Sequence, residues 1–197
     1  MTRVTAIVAM LLVSLVAGAP GAPIPASAKK PALYFPVQKG ARWVYGWSGE
    51  NQKELELVCE VTDVNDGNDR AKDVMVGHIR NEKAYPMQEF EVSDRGVFLV
   101  ARSDDKASIR LECLLKLPHK DNQIWSDDFS GTKETLTAFG PEKVKVPAGE
   151  YDAIRVKHRN ESSKDQDRTY WYAVEVGIVK MEGGNRMVLK SFTPGKE

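Results

Sequence analysis

The chain has 197 residues, with 28 basic and 28 acidic side chains and no net charge at neutral pH. That balance argues against nucleic acid or an anionic membrane surface as the main partner, because both select a basic excess. The length suits one well-buried core and is short for two.

Residues 1–28 have the layout of a secretory signal peptide. Arg3 supplies the positive start, residues 4–16 are apolar apart from Thr5 and Ser14, and Ala26-Ser27-Ala28 is a small-x-small cleavage signal. The expected product is an extracytoplasmic protein, secreted or periplasmic, cut near Ala28. The apolar run is too short to span a bilayer comfortably, so no integral membrane span is expected after cleavage. No cysteine lies near the site, which argues against a lipid anchor; an uncleaved signal anchor is the alternative.

Residues 29–40 contain Pro31 and Pro36 without periodicity and read as an extended lead-in. From residue 41 to 197 the pattern is that of a single antiparallel β domain. Trp43, Tyr45 and Trp47 alternate with Arg42, Val44 and Gly46 to give a first strand with one aromatic face. Residues 53–64 alternate as a second strand, and Asn65-Asp66-Gly67-Asn68 is a turn of residues that tolerate positive φ. A third strand is expected around Val74, Val76 and His78. A fourth follows from Tyr85, with Pro86 near its start indicating an edge position. Asp94-Arg95-Gly96 turns into the apolar run Val97-Phe98-Leu99-Val100. The long strand of residues 108–117 ends at Pro118.

Residues 121–132, with Trp125 amid Asp121, Asp127, Asp128 and Gly131, are the least regular part. Strands resume at residues 132–138. Val146-Pro147-Ala148-Gly149 suits a tight hairpin turn, residues 160–167 form a polar loop, and the last two strands meet at Gly183-Gly184-Asn185. About eleven strands are expected, with turns every 8 to 12 residues and no helical periodicity. The architecture is therefore all-β: one large, curved antiparallel sheet or open barrel, with a two-sheet sandwich as the alternative. Curling the sheet removes the edge problem of a flat one.

Cys59 and Cys113 each fall on the apolar phase of an alternating strand and are expected to face the core. They form either a disulfide, favoured by an oxidising compartment, or two buried thiols that never meet.

Three motifs carry a family resemblance: Val-Pro-Ala-Gly before Tyr-Asp-Ala-Ile-Arg-Val, then Thr-Tyr-Trp-Tyr-Ala, then Val-Gly-Ile-Val-Lys. Together with the opening Tyr34-Phe35-Pro36-Val37-Gln38-Lys39-Gly40-Ala41-Arg42-Trp43-Val44-Tyr45, this pattern resembles a group of bacterial secreted proteins of the TapB and DUF3108 type. Val37 stands where Leu is commoner in that group. The likeness covers both ends of the mature chain and little between about residues 64 and 125. It implies a shape similar to the half-open barrels of periplasmic lipoprotein carriers, whose concave face holds acyl chains, and it brings no catalytic residues with it.

Catalytic motifs are sparse. There is no Gly-x-Ser-x-Gly, His-Glu-x-x-His, phosphate-binding Gly loop or Cys-x-x-Cys. His78, His119 and His158 share no spacing and read as core or solvated residues, so neither metal nor cofactor is expected. Asp104-Asp105 and Asp127-Asp128 are paired acids of the kind a hydrolase needs, but neighbours on a strand point to opposite faces. Residues 63–69 are rich in oxygen ligands, yet Gly67 occupies a position where an EF-hand has a ligand, so a turn is expected. Asn160-Glu161-Ser162 fits a glycosylation sequon and implies an exposed loop.

The remaining candidates are the aromatics Trp43, Tyr45, Trp47, Tyr170, Trp171 and Tyr172. They either fill the core or line a concave face for a hydrophobic small molecule, such as a lipid or acyl chain, or for an envelope protein. Three functions follow. The first is a non-enzymatic exported domain that binds along this face. The second is an envelope or carbohydrate hydrolase using Asp127, Asp128 or His119. The third is a structural envelope module without a small ligand.

Overall fold

Period-two hydrophobicity produces strands along nearly the whole chain. The structure, a computed structural model, describes residues 31–49, 53–102, 109–129 and 132–196; the expected signal peptide and Asp104-Asp105 lie outside them. The strands are β1 (Arg42–Gly49), β2 (Leu55–Asp66), β3 (Lys72–Arg80), β4 (Lys83–Ser93), β5 (Gly96–Arg102) and β6 (Ile109–Lys116) in the first half. The second half adds β7 (Gln123–Phe129), β8 (Thr132–Val146), β9 (Gly149–Asn160), β10 (Arg168–Ala173), β11 (Gly177–Glu182) and β12 (Asn185–Thr193). One short 3-10 turn, Lys164–Gln166, interrupts them.

All twelve strands join one antiparallel sheet in the order β6-β5-β4-β3-β2-β1-β12-β11-β10-β9-β8-β7. The first and last strands of the chain pair with each other, Trp43 opposite Phe192. The break in the sheet therefore falls in the middle of the sequence, between β6 and β7. Register shifts at Val44/Tyr45, Val61/Asp63, Val76/Gly77, Val97/Phe98, Phe139/Glu142 and Trp171/Tyr172 each insert a bulge. Bulges bend a strand and increase its twist, and six of them curl the sheet into a nearly closed barrel.

The outer face carries cross-strand ion pairs, such as Lys143 with Asp152 at 3.2 Å and Arg42 with Glu60 at 3.9 Å. A membrane barrel needs an apolar band there. Among the described residues no helix is long and apolar enough to cross a membrane.

The structure departs from the sequence reading at several places. There are twelve strands rather than eleven, because the segment around Trp125 is a regular strand, β7, paired along its length with β8. Trp125 is buried, with Gln123 and Asp127 half-buried on its phase, while Ile124 and Ser126 face outward. Pro86 sits in an interior strand, but the β5 ladder begins only at Phe90, so the first half of β4 is an edge on that side. In the Asn65-Asp66-Gly67-Asn68 turn, positive φ belongs to Asp69 and Arg70, not Gly67.

In β6 the side-chain phase shifts. Val97 pairs with Leu115 and Phe98 with Cys113, so Leu114 is an extra residue. Beyond it Leu111 is exposed, and Glu112, on the expected outer phase, is 1% exposed.

The lead-in has a structural role that the sequence did not reveal. The Glu175 N–H donates to Leu33 O at 2.7 Å, and Gly40 N–H to Val61 O at 2.8 Å, drawing residues 33–40 across one end of the barrel. There the Phe35 ring packs 5.6 Å from Trp43 and 4.8 Å from Phe90. Gly177 makes room for it, since a Cβ at that position would stand 3.1 Å from the ring. Phe35 is the floor of the barrel.

Candidate functional site

Above this floor the strands enclose a cavity of about 780 Å³, in the upper part of the roughly 300–1,000 Å³ range of small-molecule pockets. Its mouth lies at the opposite end, where Trp47 closes β1, Leu55 opens β2 and Asn185 opens β12. Leu55 and Met87 line it there while being 62% and 47% exposed.

The strand phases decide what the cavity presents. Trp43, Tyr45 and Trp47 line it from β1, and Tyr170 and Tyr172 from β10. The Trp43 indole N–H donates to Val176 O at 2.7 Å and the Tyr45 hydroxyl to Ile178 O at 2.9 Å. With those donors already engaged, Trp43 and Tyr45 offer a ligand apolar surface, and Glu112, across Leu99 from Phe90, sets a buried carboxyl group at the deep end. Burial holds the Tyr45 and Tyr172 hydroxyls well above the ordinary tyrosine pKa, helped by Cys59 and Tyr172 for the first and by Tyr170 and Cys113 for the second. Leu57, Val76, Phe90 and Met181 extend the same wall.

Trp171, the sixth aromatic candidate, takes the opposite phase and is not among the lining residues. Its indole N–H donates to Glu142 Oε1 at 2.7 Å, and Lys180 Nζ lies 4.5 Å from its ring centre on the outer face.

One side of the cavity is polar. Glu134 of β8, His158 of β9, and Arg168 and Tyr170 of β10 line it together. His158 lies directly across the ladder from Arg168. His158 Nδ1 is 3.1 Å from Glu134 Oε2, and its ring meets Tyr170 edge-on at 4.8 Å. Burial raises the Tyr170 pKa, and the charge of Arg168 and its hydrogen bond to the phenol oxygen oppose that rise. Sequence spacing could not find this cluster, because its members come from three strands and only their shared inner phase unites them. His78 of β3 and Glu112 of β6 also line the cavity.

The hydrolase candidates do not assemble. Asp127 Oδ2 accepts the Cys113 N–H at 2.6 Å, while His119 Nε2 is hydrogen-bonded to Gly140 O at 2.7 Å. Asp127 pairs with Glu134 and Gly140 lies six residues further along β8, a separation of roughly 20 Å at strand rise. The Asp128 side chain lies outside the described residues. Among those residues, no group of three or more His, Cys, Asp or Glu is placed to hold a metal ion.

Cys59 and Cys113 are free thiols rather than a bridge. They stand four strands apart in the sheet. Asn160, expected in an exposed loop, is 4% exposed. Its side-chain oxygen accepts the Ser162 and Ser163 N–H groups and its amide donates to Gln166.

No protein-family model matches the chain, and no curated protein matches it by sequence; the TapB and DUF3108 resemblance therefore rests on its motifs. Two solved structures share the fold. One is a protein of Parabacteroides distasonis described as a "putative lipoprotein", 15% identical, with a TM-score of 0.50 over 84% of this chain and 100% of that one. The other is a protein of Bacteroides fragilis described as a "putative exported protein with YmcC-like fold". It is 16% identical, with a TM-score of 0.54 over 82% and 99% of the two chains.

Proposed function

We propose that this chain is an exported, non-enzymatic binding protein that holds the apolar part of an amphiphile, such as a lipid or acyl chain, inside its barrel. The observation that carries the reading is the cavity of about 780 Å³, floored by Phe35 and walled by aromatics, of which Trp43 and Tyr45 have their donors already engaged. A pocket of that size, mostly apolar and with a polar flank, is what an amphiphile requires. Export is supported by the signal-like pattern of residues 1–28 and by the descriptions of the two fold relatives as a lipoprotein and an exported protein. Membership of the TapB and DUF3108 type is supported by the motifs at both ends of the chain. The separation of Asp127 from His119 speaks against the hydrolase alternative.

Trp43 and Trp47 line the cavity, so their emission reports its occupancy. Titrating the purified protein with the uncharged probe N-phenyl-1-naphthylamine is expected to quench tryptophan emission saturably at one site. Native mass spectrometry after incubation with a cell-envelope lipid extract is expected to find a bound species. No saturable uptake of the probe and no bound lipid would overturn the reading.

A further inference from the structure

We infer that the polar flank of the cavity, formed by Glu134, His158, Arg168 and Tyr170, is a head-group site for an uncharged, hydroxyl-bearing amphiphile, an inference that rests on the amphiphile reading above. All four side chains lie toward the mouth: Glu134 near the start of β8, His158 near the end of β9, Arg168 and Tyr170 at the start of β10. A ligand whose tail lies against the aromatic wall above Phe35 brings its head to this flank.

The signs of the charges choose the head. Glu134 supplies a carboxylate acceptor; Arg168 and the Tyr170 hydroxyl supply donors. Glu134 is tied to His158 at 3.1 Å and Arg168 to Tyr170, so opposite charges stand within one small patch. An anionic head would meet Glu134. A cationic head would meet Arg168. A hydroxyl donates and accepts, so it can bond the half-buried Glu134 and the exposed Arg168 at the rim together, leaving neither facing a like charge.

The patch is also held in place. Asn160 fixes the connection from β9 to β10: its backbone N–H donates to Asp167 Oδ1 at 3.0 Å and its side chain ties Ser162, Ser163 and Gln166. Arg168 therefore starts β10 from a fixed position. Asn185, an uncharged amide at the same mouth, adds a further group suited to a neutral head.

The test is displacement of bound N-phenyl-1-naphthylamine by three amphiphiles of equal tail length: a monoacylglycerol, the corresponding fatty acid and an alkyltrimethylammonium. The monoacylglycerol is expected to compete at about tenfold lower concentration than either charged compound. Glu134→Gln should improve competition by the fatty acid, and Arg168→Gln by the ammonium. A circular dichroism spectrum and melting temperature like the parent's in both variants verify that the barrel is intact. A charged amphiphile that competes as well as the neutral one, or a ranking that neither substitution moves, overturns the head-group assignment while leaving the cavity reading standing. Failure of the probe itself to bind removes both.

Discussion

At the level of single residues, the interior is defined by polar groups that have been put to use. Tyr45 and Trp43 bond backbone carbonyls across the barrel, and burial pushes the Cys59 and Cys113 thiols up to about 11 from 9.0. Since the thiolate is the reactive form, both cysteines should alkylate slowly at pH 8 in the native protein and fully in denaturant. Mass spectrometry after iodoacetamide treatment checks this, and equal rates in the two states would contradict it. The same shift sets a pH dependence. A thiol whose folded pKa is raised contributes stability that is complete below about pH 9 and lost as pH rises toward 11. The urea midpoint should therefore fall over that interval, less steeply in Cys59→Val. Tyr45 and Tyr172 act in the same direction at still higher pH.

Among the elements, β6 and β7 are the unusual pair. They are consecutive in the chain and adjacent in space, yet they form the only unladdered boundary among the described strands. In an antiparallel ladder one residue exchanges both backbone bonds with its opposite number. Here the Cys113 carbonyl accepts from the Trp125 indole at 2.9 Å and its N–H donates to Asp127 at 2.6 Å. Two side chains of β7 thus replace one rung and hold the strands further apart than a ladder would. Asp127→Ala leaves the Cys113 N–H without this acceptor and should cost about 1–3 kcal/mol by urea denaturation. Asp127→Asn, which keeps an acceptor, should cost less, and equal losses would count against the rung.

The same pair explains where the sequence misled. Ser126, Asp127 and Asp128 are poor strand formers, and only their position beside β8 makes them a strand. In β6 the extra residue Leu114 inverts the phase, and its sole trace in the sequence is the unbroken run Cys113-Leu114-Leu115 that interrupts the alternation.

For the molecule as a whole, curvature and an all-β sheet were legible from alternation and turns, and the aromatic faces of β1 and β10 with them. The cup was not. Which residues face a common interior depends on closure through six bulges, and on a floor supplied by a lead-in without periodicity. Phe35→Ala removes that floor ring from Trp43 and Phe90. It should lower stability by about 3 kcal/mol, seen as a reduced melting temperature, and should enlarge the cavity, seen as weaker retention of a bound apolar probe. A variant as stable as the parent would show that the ring is not part of the core.

The floor also brings the lead-in and the residues after β12 together. Lys196 N–H donates to Lys39 O at 3.2 Å, so both segments lie beneath the barrel, on the side away from Trp47, Leu55 and Asn185. A tag, bead or fluorescent fusion joined after Lys196 would hang from the base and leave the aperture open to solvent, whereas one inserted at the turn after β11, beside Asn185, would sit across it.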